Sequence, residues 1–127
     1  MRKGKMVAQG AHASMKALLD LSPHTSSSDF VMIPITKNTL STGGFLNEPT
    51  AVHDWINGRF TKICVSVNSE EELIAIYERA KSKGLICSLI TDAGLTEFNG
   101  VPTKTCAAIG PCWSDEVDEI TGKLSLL

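Results

Sequence analysis

The chain is poor in aromatic residues, which make up 6% of it with a single tyrosine, and its formal net charge is only -2. Its apolar runs are strand-sized, and none approaches the roughly 20 residues that a membrane-spanning helix requires. The charged start, MRKGK, leads into a helix-patterned segment with His12 and Lys16 and lacks the unbroken apolar core of a signal peptide. No membrane partner is expected, and nothing in this start directs export, so the expected location is cytoplasmic. The patterns G-x-S-x-G, H-E-x-x-H and G-x-x-x-x-G-K are all absent. This removes the signatures of a serine nucleophile elbow, a metal-binding helix and a phosphate-cradling loop. Of Cys64, Cys87, Cys106 and Cys112, only the last two are close in sequence, at a spacing that fits no common zinc pattern. The first three sit in apolar, strand-like runs, where a thiol behaves as a small hydrophobe. Reduced core cysteines in a reducing compartment are expected, with no metal and no cofactor.

What is present is one domain's worth of globular sequence: 127 residues, 43% apolar and 20% charged. The charges are unevenly spread. Arg2, Lys3, Lys5 and Lys16 fall in the first sixteen residues without an acid, whereas Glu70, Glu71, Glu72, Asp115, Glu116, Asp118 and Glu119 crowd two later helix starts. One end therefore has the sign that attracts phosphates.

Hydrophobic spacing predicts a helix from Lys3 to Leu21, with Val7, Ala11, Met15 and Leu18 as its apolar stripe and Lys5, Gln9, His12 and Lys16 on a neighbouring ridge. Ser22, Pro23 and the run Ser26 to Asp29 stop it. Residues 22–50 read as a long insertion with a β-prone patch at Phe30 to Ile35 and a loop at Ser41, Gly43 and Gly44, a length that suits a short hairpin or lid. A short helix follows from Ala51 to Ile56, stopped at Asn57 and Gly58. Ile63, Val65 and Val67 alternate as a strand. Ser69 and Glu72 form a capping box before a helix that ends at Gly84. Leu85 to Ile90 and Thr105 to Ile109 read as apolar strands, and Gly110 and Pro111 break the second. Ser114 is expected to cap the last helix. This alternation predicts an α/β fold, three-layer α/β/α, with a small mixed sheet flanked by helices.

Three segments carry a resemblance: KGKMVAQGAHAS at Lys3 to Ser14, TDAGLTE at Thr91 to Glu97, and AIGPCWSDEVDEITGKLSLL at Ala108 to Leu127. In order and content they resemble the class II peptidyl-tRNA hydrolases, the archaeal and eukaryotic type, over most of residues 3–21 and 59–127. Members of that family begin with a β-strand leading into the KGK segment. Here Met1 stands near where that strand should end, so a late start, a truncated chain or completion by a partner or by the insertion is expected. The 22–50 insertion is a second departure.

The resemblance implies cleavage of the ester that joins a peptide to the terminal ribose of tRNA, with peptidyl-tRNA as substrate. Such a reaction needs a positioned water, a proton acceptor and donors for the oxyanion. Asp92, at the carboxyl end of a strand, would orient or deprotonate water; its plainer role is an Asx turn shaping the glycine loop with Gly94. Thr96 would bond the water or the ester, or is an ordinary loop hydroxyl. Lys5 would stabilise the oxyanion or bind the terminal phosphate with help from Lys3, although a lysine near a helix start is usually a solvated charge. Gln9 would position substrate. His12 would be a general base or a tRNA contact, or a packed helical histidine. Lys3, Lys16 and Gly94 are the expected substrate contacts. Two other readings stand beside the hydrolase: an inactive tRNA- or protein-binding module on the same fold, and a small-molecule enzyme related in fold only. Exposed sheet edges and the leucine-rich tail make a homodimer a further expectation.

Overall fold

The computed structural model describes residues 1–23, 31–41 and 44–127. Over these the elements run α1 (Lys3–Leu19), β1 (Thr36–Ser41), β2 (Gly44–Pro49), α2 (Ala51–Asn57), α3 (Glu70–Ser82), β3 (Cys87–Asp92), β4 (Thr103–Ile109) and α4 (Ser114–Thr121). Local sequence chemistry accounts for several of these limits. Ser69 Oγ accepts the Glu72 N–H at 3.1 Å, which satisfies one of the free donors at the start of α3, and the Glu72 carboxylate accepts the N–H of Asn68, just before the cap, at 2.9 Å. Gly84, at φ +72°, turns the chain out of α3.

The described residues form a mixed α/β arrangement of four helices and two small sheets packed against helices, with no closed sheet. Each sheet is a two-stranded antiparallel pair, β1 with β2 and β3 with β4. The β3–β4 pair is the platform of the site. On one side Ser88 Oγ donates to the Ala13 carbonyl of α1 at 2.6 Å. On the other, Cys87 lies near Glu78 and Lys81 of α3, and burial holds its thiol pKa above the usual value.

Helix α1 departs from the expected facing. Val7 is 74% and Met15 60% exposed, and Ala11 is exposed too, while Gln9, Ala13 and Ala17 are buried. The face at Lys5, Gln9, Ala13 and Ala17, stepping by four, is the one against β3 and β4. Small residues let the helix backbone come close enough for the Ser88 bond, and polar partners on the strands satisfy Lys5 and Gln9. Close approach has outweighed side-chain hydrophobicity in choosing the inner face.

Other expectations are also corrected. Ile63 to Val67 is extended but forms a single bridge, Val65 to Leu126, supported by Ser66 N–H to Ser125 O at 2.9 Å and Leu127 N–H to Cys64 O at 3.0 Å. Strand propensity alone makes no ladder; this segment meets only the tail. Val31 to Ile35 is not a strand, and Phe30 lies outside the described residues, as does the expected stop at Ser26 to Asp29. The strand begins instead at Thr36, where Gly44–Pro49 supplies an antiparallel partner. Ser41 and Gly44, expected in a loop, end and begin those strands, while Gly43 lies outside the described residues. Cys64 is exposed, not in a core. Ser114 is the first residue of α4 and not its cap; Trp113 holds the cap position, with its N–H directed at the Glu116 carboxylate at 3.4 Å. Among the described residues no helix is long and apolar enough to cross a membrane.

Candidate active site

Strand β3 ends on Asp92 after a register shift between Ile90 and Thr91, a local irregularity of the kind that re-aims side chains at strand ends. The turn beyond it is tight. Gly94 has φ +80°, and a Cβ there would stand 2.4 Å from the Val101 carbonyl oxygen, so a side chain at this position would force the loop open. Gly100 N–H donates to Gly94 O at 2.8 Å and closes the loop, while Gly94 N–H donates to Asp92 Oδ1 at 2.7 Å.

Asp92 is the hub. Its Oδ1 also accepts from Lys5 Nζ at 3.2 Å, and its Oδ2 accepts from Gln9 Nε2 at 3.2 Å. The Lys5 ammonium donates a second bond, to Thr96 Oγ1 at 2.6 Å, and stands 4.8 Å from the centre of the Phe98 ring. The Lys5 and Asp92 side chains are 13% and 16% exposed, so the pair is sheltered but open to a small molecule. Lys5 and Gln9, one helical turn apart, reach the same carboxylate from α1 because residues at i and i+4 share a face.

The Gly94 N–H holds the Asp92 carboxyl below its ordinary pKa; burial opposes it, and the bond and charge of Lys5 add to the lowering. Asp92 is therefore a carboxylate across the neutral range. Two of the three ammonium protons of Lys5 are engaged within the cluster, which leaves one donor to meet a developing negative charge. Among the described residues Oδ2 accepts from Gln9, and a carboxylate oxygen can accept a further bond, such as one from water.

Of the residues singled out from sequence, Lys5, Gln9, Asp92 and Thr96 come together. Gly94 is buried, and its N–H is occupied by Asp92. His12 is exposed on α1, beyond Gln9, and no hydrogen bond among the described residues joins it to the cluster. Lys3 is exposed on the first turn, and Lys16 pairs with Asp20 at 2.9 Å. Sequence reasoning passed over Thr105. Its hydroxyl donates to Gln9 Oε1 at 2.7 Å, which fixes the orientation of the amide and turns Nε2 toward Asp92. The available signal was a hydroxyl placed within the apolar run of β4. Among the described residues no group of three His, Cys, Asp or Glu side chains is gathered as a metal site would need.

The family model described as "Peptidyl-tRNA hydrolase PTH2" matches residues 1–127. This chain belongs to that peptidyl-tRNA hydrolase family. Its activity is accordingly that of the family, hydrolysis of peptidyl-tRNA. Among curated relatives, the peptidyl-tRNA hydrolase of Methanocaldococcus jannaschii is 43% identical over 127 residues, covering 100% of this chain and 90% of that protein. Those of Metallosphaera sedula and Methanococcus maripaludis are each 35% identical over 127 residues, again across the whole of this chain and 90% and 89% of theirs. Two of the three segments that carried the resemblance, Lys3 to Ser14 and Thr91 to Glu97, contribute Lys5, Gln9, Asp92 and Thr96, so motif and geometry meet in one place.

Proposed function

We propose that this peptidyl-tRNA hydrolase cleaves the ester between peptide and tRNA at the Asp92 cluster, by direct attack of water. The observation that supports it is the convergence of Lys5, Gln9 and the Gly94 N–H on one carboxylate, with Thr96 bonded to the same ammonium. Water bound at Asp92 Oδ2 attacks the ester carbonyl carbon and releases its proton toward the carboxylate. The carbonyl oxygen gathers negative charge and takes the remaining Lys5 donor. As the tetrahedral carbon collapses, the C–O bond to the ribose breaks, the ribose oxygen takes up a proton, and free tRNA and peptide leave. A carboxylate held below its usual pKa is a weak base, so orienting the water and anchoring Lys5 carry more of the work than proton abstraction. Thr96 holds Lys5 and can bond the ester; Gln9 positions substrate; His12 is assigned to tRNA contact.

Lys3 and Lys16 supply phosphate contacts, and Gly94 serves substrate binding indirectly, by shaping the turn that holds Asp92. The working unit in this reading is one domain over residues 1–127 with an insertion at 22–50, cytoplasmic, and paired as a homodimer through its exposed edges. Its finer fold is three-layer α/β/α around one mixed sheet. Support for that comes from α1 and α3 packing against β3–β4 and from the proximity of Cys64 to Cys106, whose thiol pKa is raised by burial first and by Cys64 second.

The test is peptide release from peptidyl-tRNA by the purified chain, with Asp92→Ala and Lys5→Ala beside it. Each variant should lose about 10²-fold in kcat/KM. Full rate in both would end the site assignment, and binding without cleavage by the unaltered chain would favour the inactive module instead. Replacing Lys3 and Lys16 by alanine should flatten the dependence of log KM on log salt by about one unit for each phosphate that is no longer neutralised.

A further inference from the structure

Helix α1 opens against its own electrostatics. Arg2, Lys3 and Lys5 crowd an end where the macrodipole is positive; the first turn holds no acid, and Arg2 at the cap position offers no side-chain acceptor. The missing acceptor comes from the other side of the site. Glu97 Oε1 accepts the Arg2 backbone N–H at 3.0 Å and Arg2 Nε at 3.3 Å, and Oε2 lies 4.0 Å from the Met1 ammonium. The Arg2 side chain is 83% exposed, so its ion pair is screened by water, and the backbone bond to a carboxylate that is only 15% exposed is the firmer tie.

Glu97 directly follows Thr96 and precedes Phe98. These three consecutive loop residues therefore all hold the start of α1: Thr96 and Phe98 meet the Lys5 ammonium, and Glu97 caps the backbone one turn ahead of it. We propose that Glu97 is a positioning residue for the hydrolysis, a cap supplied from the catalytic loop that sets where Lys5 stands relative to Asp92 and Thr96. The inference rests on the reading of Lys5 and Asp92 as catalytic groups. Glu97 touches neither substrate nor reacting atoms; it acts through Lys5.

The experiment is steady-state hydrolysis of peptidyl-tRNA by Glu97→Ala, Glu97→Gln, Lys5→Ala and the double variant Lys5→Ala/Glu97→Ala. Glu97→Ala should lower kcat about tenfold, as a small misplacement of a catalytic group does, with KM within about twofold. Glu97→Gln keeps an oxygen for the Arg2 N–H and should recover kcat to within about threefold of the unaltered chain. With Lys5 already removed, Glu97→Ala should cost less than about twofold more, because coupled residues are not additive. An equal further loss in that background would mark Glu97 as general scaffolding and overturn the proposal, as would no rescue by glutamine. Unchanged kcat in Glu97→Ala beside a crippled Lys5→Ala would overturn this inference alone. Full activity in Lys5→Ala would overturn the site assignment and the inference together.

Discussion

Two regions of the molecule bring together segments far apart in sequence, and they do it by different means. At the site, α1 is joined to the end of β3 by bonds from Lys5 and Gln9 to Asp92, to the loop beyond it by the bond from Lys5 to Thr96, and to β4 by Thr105. Elsewhere, at an open margin, Ile63 to Val67 meets the tail through one bridge made of two backbone bonds, with Ile63, Leu126 and Leu127 all more than 70% exposed. The first region is polar, sheltered and specified by residue type; the second is apolar, open and specified by almost nothing except chain direction. Side-chain bonds to a charged group contribute about 1.5–3 kcal/mol each, against about 0.5–1.5 for a neutral backbone bond at a solvated edge.

The sharpest way to break this contrast is to loosen the site by a single hydroxyl. Thr105→Val keeps the strand shape but releases the Gln9 amide. kcat in peptidyl-tRNA hydrolysis should fall about fivefold to tenfold, the worth of one buried hydrogen bond, while Thr105→Ser should stay near the unaltered rate.

A smaller effect should appear on acidification. Asp92 and Glu97 both titrate below the ordinary carboxylate range in the folded chain, Asp92 chiefly through the Gly94 N–H and Glu97 chiefly through the Arg2 N–H. Groups with depressed folded pKa values contribute stability that is fully present above their unfolded values and disappears as pH falls through the folded ones. The attachment of α1 to the loop should therefore persist through neutral and mildly acidic pH, then fail below the usual carboxylate range. Activity followed downward in pH should show its acid limb there, and Lys5→Ala should move that limb upward only in part, because the Gly94 bond remains. A limb at or above the ordinary carboxylate value in the unaltered chain would contradict the geometry.

The smallest expected effect belongs to the margin. Truncation after Lys123 removes Leu124 to Leu127 and with them the bridge. Thermal unfolding should shift down by a few degrees, in line with about 1 kcal/mol, and kcat should remain within about twofold. A large loss of activity would show that the two regions are coupled after all.

The same contrast explains what could be read from the amino-acid order. The meeting of Lys5, Gln9, Asp92 and Thr96 was legible through the family resemblance, whose short motifs hold these residues at helical or turn spacing. The limits of α3 were legible because Ser69, Glu72 and Gly84 act on their own neighbours. Two features were not. The inner face of α1 was mistaken for the Val7–Met15 stripe, since periodicity ranks faces by hydrophobicity and cannot sense how closely Ala13 and Ala17 allow a strand to approach. Ile63 to Val67 has the same alternation as a paired strand, but a ladder depends on a neighbour that local sequence does not name. Thr105 and Glu97 were passed over for a related reason: each acts on a residue more than ninety positions away.

The pinch at Gly94 has a consequence for anyone who would retune this enzyme. With the Val101 backbone pressed against it, that position admits no alternative, and Asp92, Thr96 and Glu97 are tied to α1 on either side of it. Leu95, at 87% exposed, is the free coordinate between these fixed points. Side chains exchanged there should leave the contacts of Asp92, Thr96 and Glu97 with α1 undisturbed.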